Sequence, residues 1–459
     1  MIHRYKLNGF NIVIDVASGS IHNVDELAYD VICMYESENA DTITARITEK
    51  YGGGISQDEI SELLRDIADL KRRGKLFSSD PFADSAASGA KNAPLKALCM
   101  NVSHLCNMTC GYCFAGSGEY GGGGLMPLET GKRAIDFLVE NSGARKNLDV
   151  DFFGGEPLLN WSVVKEIVKY ARKIEQGSGK QFRFTLTTNG RLIDDDVIEF
   201  ANRQMHNVVL SLDGRPEVND AMRKLPEGGS SYAEVLPKFK KLVSARGNRG
   251  YYIRGTFTRD NTDFVRDVLH LADLGFTELS MEPVVAAESS PHALTMSDLP
   301  KLCEQYQQLA AEMLRRADSE SGFTFYHYML DLTGGPCIHK RLAGCGVGTE
   351  YLAVTPLGEL YPCHQFAGDE KFKMGDVWSG VVNRELLDEF ADRSIYSQPE
   401  CKDCWARLYC SGGCAANAYH ASGSISGVYE LGCEMFKKRV ECAVMMKVAQ
   451  YKRGVVTDV

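Results

Sequence analysis

Ten of the fifteen cysteines in this chain of 459 residues fall into two tight groups. The first is Cys106, Cys110 and Cys113, and the second is Cys345, Cys363, Cys401, Cys404, Cys410, Cys414 and Cys433. This spacing constrains the fold more than any apolar pattern, because each group must be folded around a common centre. Disulfides belong mainly to small secreted chains with poor cores. Here 44% of a long chain is apolar, enough for ordinary buried cores. From Met1 to Asp15 polar and apolar residues alternate, with no basic segment leading into an apolar run. No signal peptide is therefore expected, and a cytoplasmic location is. The cysteines then read as metal or cluster ligands. Cys33, Cys99, Cys303 and Cys442 sit in apolar patterns and are expected to be buried packing residues.

The rest of the chain divides by pattern. Residues 1–77 hold short alternating segments, Arg4–Leu7, Asn11–Asp15 and Ser20–Asn23, followed by helical periodicity. Ser56-Gln57-Asp58-Glu59 reads as a capping box before the apolar face of Ile60, Leu63, Leu64, Ile67 and Leu70. The expectation is a three-stranded sheet followed by about three helices. Residues 78–94, SSDPFADSAASGAKNAP, read as a linker. From about 95 to 320 six apolar strands alternate with amphipathic helices. The strands are expected at Leu95–Val102, Asp149–Phe153, Phe182–Thr187, Val208–Asp213, Tyr252–Thr256 and Glu278–Val284. Helices are expected near 128–140, 161–175, 194–203, 231–245, 263–274 and 298–317. Such an α/β run makes a parallel sheet, curved into a partial (β/α)6 TIM-like barrel, with functional residues at the C-terminal strand ends. From about 330 to 459 Gly, Cys and aromatic residues dominate. A net charge of -10 argues against nucleic acid as a partner. No run approaches the roughly 20 apolar residues of a membrane helix.

The chemistry-bearing motifs lie at the strand ends. Cys106-Asn107-Met108-Thr109-Cys110-Gly111-Tyr112-Cys113 follows the first strand of the alternating region. Three thiolates at this spacing can wrap one [4Fe–4S] cube and leave one iron open. A zinc loop is the alternative, with His104 as a tempting fourth ligand. Gly154-Gly155-Glu156-Pro157 ends the second strand, and Thr187-Thr188-Asn189-Gly190 the third. Ser211-Leu212-Asp213-Gly214 ends the fourth, followed by Asn219-Asp220 and Arg223.

Together these motifs resemble the radical S-adenosylmethionine (SAM) superfamily over about 95 to 320. The resemblance implies a cluster on Cys106, Cys110 and Cys113 whose open iron chelates SAM, with Tyr112 near the adenine. It implies SAM contacts from Gly154, Gly155, Glu156, Thr187, Asn189, Ser211 and Arg223, with Arg254 on the fifth strand as a weaker candidate. One-electron cleavage of SAM would give a 5′-deoxyadenosyl radical that takes a hydrogen atom from an unactivated carbon.

The C-terminal cysteines run C-x12-G-x4-C, then C-x2-C-x5-C-x3-C, then Cys433, with Gly358 at the glycine. This resembles the SPASM extension of peptide-modifying radical SAM enzymes; two zinc-ribbon sites are the alternative. The resemblance implies one auxiliary cluster on Cys401, Cys404, Cys410 and Cys433. It implies another on Cys345, Cys363 and Cys414, with Cys337 as a possible fourth ligand or one iron left open. Three [4Fe–4S] clusters and SAM are thus the expected cofactors. An open iron would suit a substrate thiolate, and His364 is a candidate acceptor of the thiol proton.

Residues 1–77 resemble the winged-helix-like peptide-recognition domains that take up a leader peptide as an added strand. Taken whole, the chain resembles maturases of "six cysteines in forty-five residues" peptides, which join a cysteine sulfur to a carbon of an acceptor residue. The implied partners are a precursor peptide with an N-terminal leader and a reduced flavodoxin or ferredoxin-type electron donor. Other readings are an anaerobic sulfatase-maturing enzyme, a carbon–carbon crosslinking maturase and a non-catalytic iron–sulfur protein. Against the first, such enzymes generally lack a unit like 1–77 and carry an acidic residue where His364 follows Cys363.

Overall fold

The computed structural model describes residues 1–82, 93–116, 118–120, 122–287, 289–332 and 338–453. Strands β1 (Ile2–Leu7), β2 (Phe10–Asp15) and β3 (Ile21–Val24) form an antiparallel sheet in that order. Helices α1 (Glu26–Met34), α2 (Ala40–Tyr51) and α3 (Gln57–Arg72) follow. The capping box forms: the Ser56 hydroxyl accepts from the Glu59 amide, and the Glu59 carboxylate accepts from the Ser56 amide. The strand period of two explains how the sheet is used. On β2, Val13 packs against Val31, Ile43 and Ile60 from the helices. Its neighbours Ile12 and Ile14 face the other way, into the main core.

The core region alternates as expected. It comprises β4 (Ala97–Ser103), β5 (Thr109–Cys110), α4 (Leu128–Asn141), β6 (Asn147–Gly154), α5 (Trp161–Ser178), β7 (Gln181–Thr188) and α6 (Asp195–Gln204). It continues with β8 (Asn207–Ser211), α7 (Pro216–Met222), β9 (Arg223–Lys224), α8 (Ser231–Arg246), β10 (Gly250–Phe257), α9 (Val265–Asp273), β11 (Glu278–Pro283), α10 (Leu299–Arg316) and β12 (Thr324–Phe325). Then come α11 (Ile338–Ala343), β13 (Tyr351–Val354), β14 (Glu359–Tyr361), β15 (Gly375–Asp376) and β16 (Gly380–Val381). The chain closes with α12 (Arg384–Ala391), α13 (Pro399–Lys402), α14 (Arg407–Cys410), α15 (Ala415–Ser422) and α16 (Glu430–Lys452).

The long strands pair in parallel in the order β12-β11-β10-β8-β7-β6-β4, an open barrel wall. Leu148, Val150 and Phe152 on β6 and Phe182, Phe184 and Leu186 on β7 are buried in the apolar core. Alternate residues such as Thr187, Ser211 and Arg254 take the opposite, inner face. Past β4 the sheet gains β13 in parallel and then β14, β15 and β16 antiparallel, so the cysteine-rich region extends the same sheet.

The N-terminal sheet docks on α16. The Tyr5 hydroxyl donates to the Glu441 carbonyl at 2.9 Å, and His3 stacks on Trp405 with ring centroids 3.6 Å apart. The stretch expected to be a linker begins as docked chain. Asp15 accepts from Ser78, and Asp80 accepts from Tyr396 and Arg407, each at 2.8 Å. Residues 83–92 of that stretch lie outside the described residues. One packing expectation fails. Cys99 and Cys442 are buried, but Cys33 is exposed and Cys303 is half-buried. Each follows a buried residue, Ile32 or Leu302, and one helical step turns a side chain about 100° away from that face.

Candidate active site and cluster-binding cysteines

The Cys106–Cys113 loop leaves the C-terminal end of β4 and is tied down at several points. β5 pairs antiparallel with β9, setting Cys110 opposite Arg223. The Gly111 amide donates to the Met222 carbonyl at 2.8 Å. Asn189 donates from its side chain to Asn107 at 2.8 Å and reaches the Cys106 sulfur at 3.8 Å. Burial raises the Cys106 thiol pKa and pushes that of Cys110 up to about 12. In both cases the neighbouring thiolates of the same loop add to the rise. The three sulfurs therefore share one environment. Among the described residues, no three His, Cys, Asp or Glu side chains converge closely enough for a single metal ion. A zinc site needs that convergence, whereas thiolates around an iron–sulfur cube stand on a larger core. His104 is otherwise engaged. Its Nδ1 lies 3.2 Å from the Gly122 carbonyl, and its ring stacks on Tyr120.

The Gly154-Gly155 turn crosses this loop closely. The Gly155 amide donates to the Ser103 carbonyl and the Glu156 amide to the Leu105 carbonyl, both at 2.8 Å. Gly154 has φ +127°, and a Cβ on Gly155 would sit 2.3 Å from the Leu105 carbonyl oxygen. Only glycine fits such an approach. The Glu156 carboxylate is turned inward and fully buried, accepting from Thr188 Oγ1 and the Asn189 amide at 2.8 Å and the Leu158 amide at 3.0 Å. Burial outweighs these bonds and raises its pKa to about 7. Glu156 thus pins the ends of β6 and β7 together, which leaves the turn's backbone to face a ligand.

Arg223 is buried and ion-paired to Asp213 at 3.0 Å. The same carboxylate accepts from the Tyr112 hydroxyl at 2.6 Å. Arg254 lies in register between Ser211 of β8 and Ser280 of β11. It is exposed on the inner face, with no hydrogen bond or ion pair among the described residues. Thr187 and Ser211 are half-buried on the same inner face. His364 follows Cys363, with its ring 5.8 Å from Phe114 and 4.8 Å from Phe153. Its Nδ1 is buried without a partner among the described residues. Burial, reinforced by Arg254, lowers its pKa to about 4 and keeps it neutral. Phe114 itself follows Cys113, so the first cysteine loop and the Cys363 segment meet across one ring contact.

The other cysteines gather in two sets. Cys401, Cys404, Cys410 and Cys433 act on one another electrostatically, and burial takes Cys410 to about 12 and Cys433 to about 11. Cys363, Cys414 and Cys345 form the second set, with Cys363 raised by burial to about 12. Cys337 lies outside the described residues. Between the sets sits buried Arg393, which donates to the carbonyls of Ile425, Gly412 and Gly413. No motif marks it.

Sequence reasoning also missed a polar cluster at the C-terminal end of β11. Glu282 stands 3.5 Å from His327 and 3.6 Å from Arg439 of α16, and Ser280 bonds His327 at 3.2 Å. These residues come from three distant segments, and only Arg254's neighbours in the sheet hint at them.

Residues 100–272 match the model of the radical SAM superfamily, and residues 345–405 match that of the SPASM iron–sulfur cluster-binding domain. The chain is 22% identical to the radical SAM cyclopropyl synthase TigE of Paramaledivibacter caminithermalis, covering 75% of this chain and 72% of that protein. It is 24% identical to the cysteine-type anaerobic sulfatase-maturating enzyme of Clostridium novyi, covering 76% and 94%. To AlbA, the antilisterial bacteriocin subtilosin biosynthesis protein of Bacillus subtilis, it is 22% identical, covering 70% and 68%. Among solved structures, native anSMEcpe with bound AdoMet and a peptide superposes with a TM-score of 0.65 at 20% identity, covering 78% of this chain and 99% of that one. SuiB of Streptococcus suis bound to its precursor peptide SuiA gives 0.51 at 16% identity, covering 93% and 97%. The shared architecture is a parallel barrel wall continued by a cysteine-rich extension. Residues 100–272 thus carry a radical SAM domain, and residues 345–405 carry an iron–sulfur cluster-binding SPASM domain.

Proposed function

We propose that the chain is a maturase that forms thioether crosslinks, cysteine sulfur to acceptor carbon, in a ribosomally made cysteine-rich peptide. The observation that carries this reading is the juxtaposition of the two cysteine loops through Phe114 and His364. Phe114 follows Cys113 and His364 follows Cys363, so this contact supports a reading in which Cys345, Cys363 and Cys414 would stand near the first cysteine loop, where a substrate sulfur and a substrate carbon would meet. The relatives that act on peptides, AlbA and SuiB, support the substrate class.

The first loop fits a [4Fe–4S] cluster in its donor set of three cysteines. Cys106, Cys110 and Cys113 would hold it, while Thr187, Asn189, Ser211, Arg223 and Arg254 would face SAM with the Gly154-Gly155 backbone. With SAM bound there, such a cluster supplies one-electron chemistry strong enough to take a hydrogen atom from an unactivated carbon. Cys401, Cys404, Cys410 and Cys433 would hold a second cluster, and Cys345, Cys363 and Cys414 a third. His364 would accept the thiol proton at its unpartnered Nδ1 in the tautomer that leaves that nitrogen its lone pair, a weak base that suffices for a thiol acidified by binding iron. Phe114 and Phe153 keep water from that nitrogen. Per bond the peptide would give up one hydrogen atom to the deoxyadenosyl group, one proton to His364 and one electron to an auxiliary cluster held by the C-terminal cysteines, while a reduced flavodoxin or ferredoxin-type protein would supply the separate electron that cleaves SAM.

The N-terminal unit fits leader binding. β1 and β3 are the two edges of its sheet, and an added leader strand would pair with one of them. No helix of the described residues is long and apolar enough to cross a membrane.

The test is anaerobic incubation of reconstituted enzyme with SAM, reductant and a cysteine-rich precursor peptide, read by mass spectrometry. A loss of about 2 Da per site, with that sulfur resistant to alkylation, supports the reading. A loss of about 18 Da with an aldehyde means formylglycine instead. An unchanged peptide rejects the substrate class.

A further inference from the structure

The first cysteine loop, β9 and β10 converge on one carboxylate that no motif role accounts for. Asp213, just past β8, is fully buried. Its Oδ2 accepts from the Tyr112 hydroxyl at 2.6 Å. Its Oδ1 accepts from Arg223 Nη2 at 3.0 Å and from the Thr256 amide at 2.9 Å. Its own amide donates to Asn219 Oδ1 at 3.2 Å, and Asn219 in turn donates to the Ser231 hydroxyl at 2.9 Å. The cysteine loop, β9 at the end of α7, and β10 are thereby joined through one side chain, and Asn219 ties the Asp213 backbone to the start of α8.

Two of these partners belong to the site. Tyr112 lies between Cys110 and Cys113. Arg223 stands across from Cys110 in the β5–β9 pair, with its guanidinium 5.6 Å from the Tyr112 ring. Arg223 Nε is buried and has no partner among the described residues, so Asp213 takes the neighbouring Nη2 donor and leaves Nε unfilled. A buried ion pair adds little net stability by itself. A carboxylate that takes a phenol, a guanidinium and an amide at once instead fixes directions, because each bond depends on a specific lone pair.

We propose that Asp213 is a positioning residue for SAM, holding the Tyr112 ring and the Arg223 guanidinium in the orientation in which they meet it. This rests on the reading that Tyr112 and Arg223 contact SAM. Asp213 also explains the difference between the two lumen arginines: Arg223 is neutralised and aimed, while Arg254 stays exposed.

The test uses full-length enzyme with its clusters reconstituted. Iron content, calorimetric SAM affinity and the electron paramagnetic resonance spectrum of the reduced first cluster, with and without SAM, are read together. Asp213→Asn keeps the side chain's shape but replaces one acceptor oxygen with a donor. It should retain its iron, bind SAM at least ~10-fold more weakly and show an altered spectral response to SAM. Tyr112→Phe removes only the hydroxyl and should weaken SAM a few-fold. Combined with Asp213→Asn it should add nothing further, since both changes break the same bond. Tyr112→Ala and Arg223→Lys test the underlying contacts. If these two weaken SAM while Asp213→Asn and Tyr112→Phe bind it as the wild type does, the proposal is overturned and the contact reading stands. If Tyr112→Ala and Arg223→Lys leave SAM affinity unchanged, the contact reading fails, and the proposal with it. Should Asp213→Asn lose its iron, Tyr112→Phe decides, and wild-type affinity and spectrum in that variant overturn the proposal.

Discussion

Gly154→Ala should dismantle the first site although it adds one methyl group. The new Cβ would lie 2.2 Å from the Ser103 carbonyl oxygen and 3.1 Å from its carbon. Heavy-atom contacts are comfortable only at about 3.5–4 Å. That oxygen cannot retreat cheaply, because it already accepts from the Gly155 amide at 2.8 Å. Overpacking of this kind costs ~1–3 kcal/mol. The φ of +127° costs an L-residue a further ~1–3 kcal/mol. The sum, about 2–6 kcal/mol, is relieved most cheaply by moving Ser103 and the loop that starts there. Gly177→Ala is the control. It sits exposed in α5 with nothing within 4 Å of the added Cβ, so the change should be neutral or stabilise by ~0.5–1 kcal/mol. Iron content, SAM affinity and melting temperature are measured after reconstitution. The expected result is loss of iron and SAM binding in Gly154→Ala only. Wild-type iron, SAM affinity and melting temperature in Gly154→Ala would refute the reasoning.

Other outcomes follow from single residues. Cys410→Ala and Cys414→Ala should each remove roughly a third of the bound iron, and the double variant roughly two thirds; equal iron in the single and double variants would contradict two separate sets. His327 is held at a pKa of about 4 by burial, aided by Arg439 and Arg254 and opposed by Glu282. A depressed histidine contributes stability above its ordinary pKa of about 6.5 that is lost as pH falls toward 4, at most ~3 kcal/mol here. His327→Gln should therefore flatten the melting-temperature profile between pH 7 and 5; parallel profiles would count against it. Arg407→Ala leaves Asp80 without its cation at 2.8 Å, a loss of ~3–5 kcal/mol if the pair behaves as buried. Limited proteolysis should then cut faster between residues 78 and 94. His364→Ala should slow crosslinking by ~10²–10⁴ while 5′-deoxyadenosine still forms; equal loss of both would remove His364 from proton transfer.

The barrel was legible because parallel strands read as apolar runs and helices as amphipathic stripes. The helix expected at 128–140 spans Leu128–Asn141, and the strand expected at Phe182–Thr187 spans Gln181–Thr188. The cysteine sets were legible because a shared centre imposes spacing on the chain. The extension β13–β16 was not, since strands of two to four residues carry no period. Nor was Asp213's role. It sat inside a quoted motif, but its partner Tyr112 is 101 residues away and Thr256 43 residues away. Glu156 was read as facing a ligand. Only the fold reveals that Thr188 and Asn189 already hold its carboxylate.

The most direct test of the account follows the hydrogen atom. A precursor peptide deuterated at the acceptor carbon is incubated anaerobically with reconstituted enzyme, SAM and reductant, and both products are weighed. The account predicts deuterium in 5′-deoxyadenosine, together with a peptide crosslinked at that carbon and one fewer alkylatable thiol. Crosslinked peptide with the deuterium retained, or a labelled 5′-deoxyadenosine with every thiol still free, would contradict it.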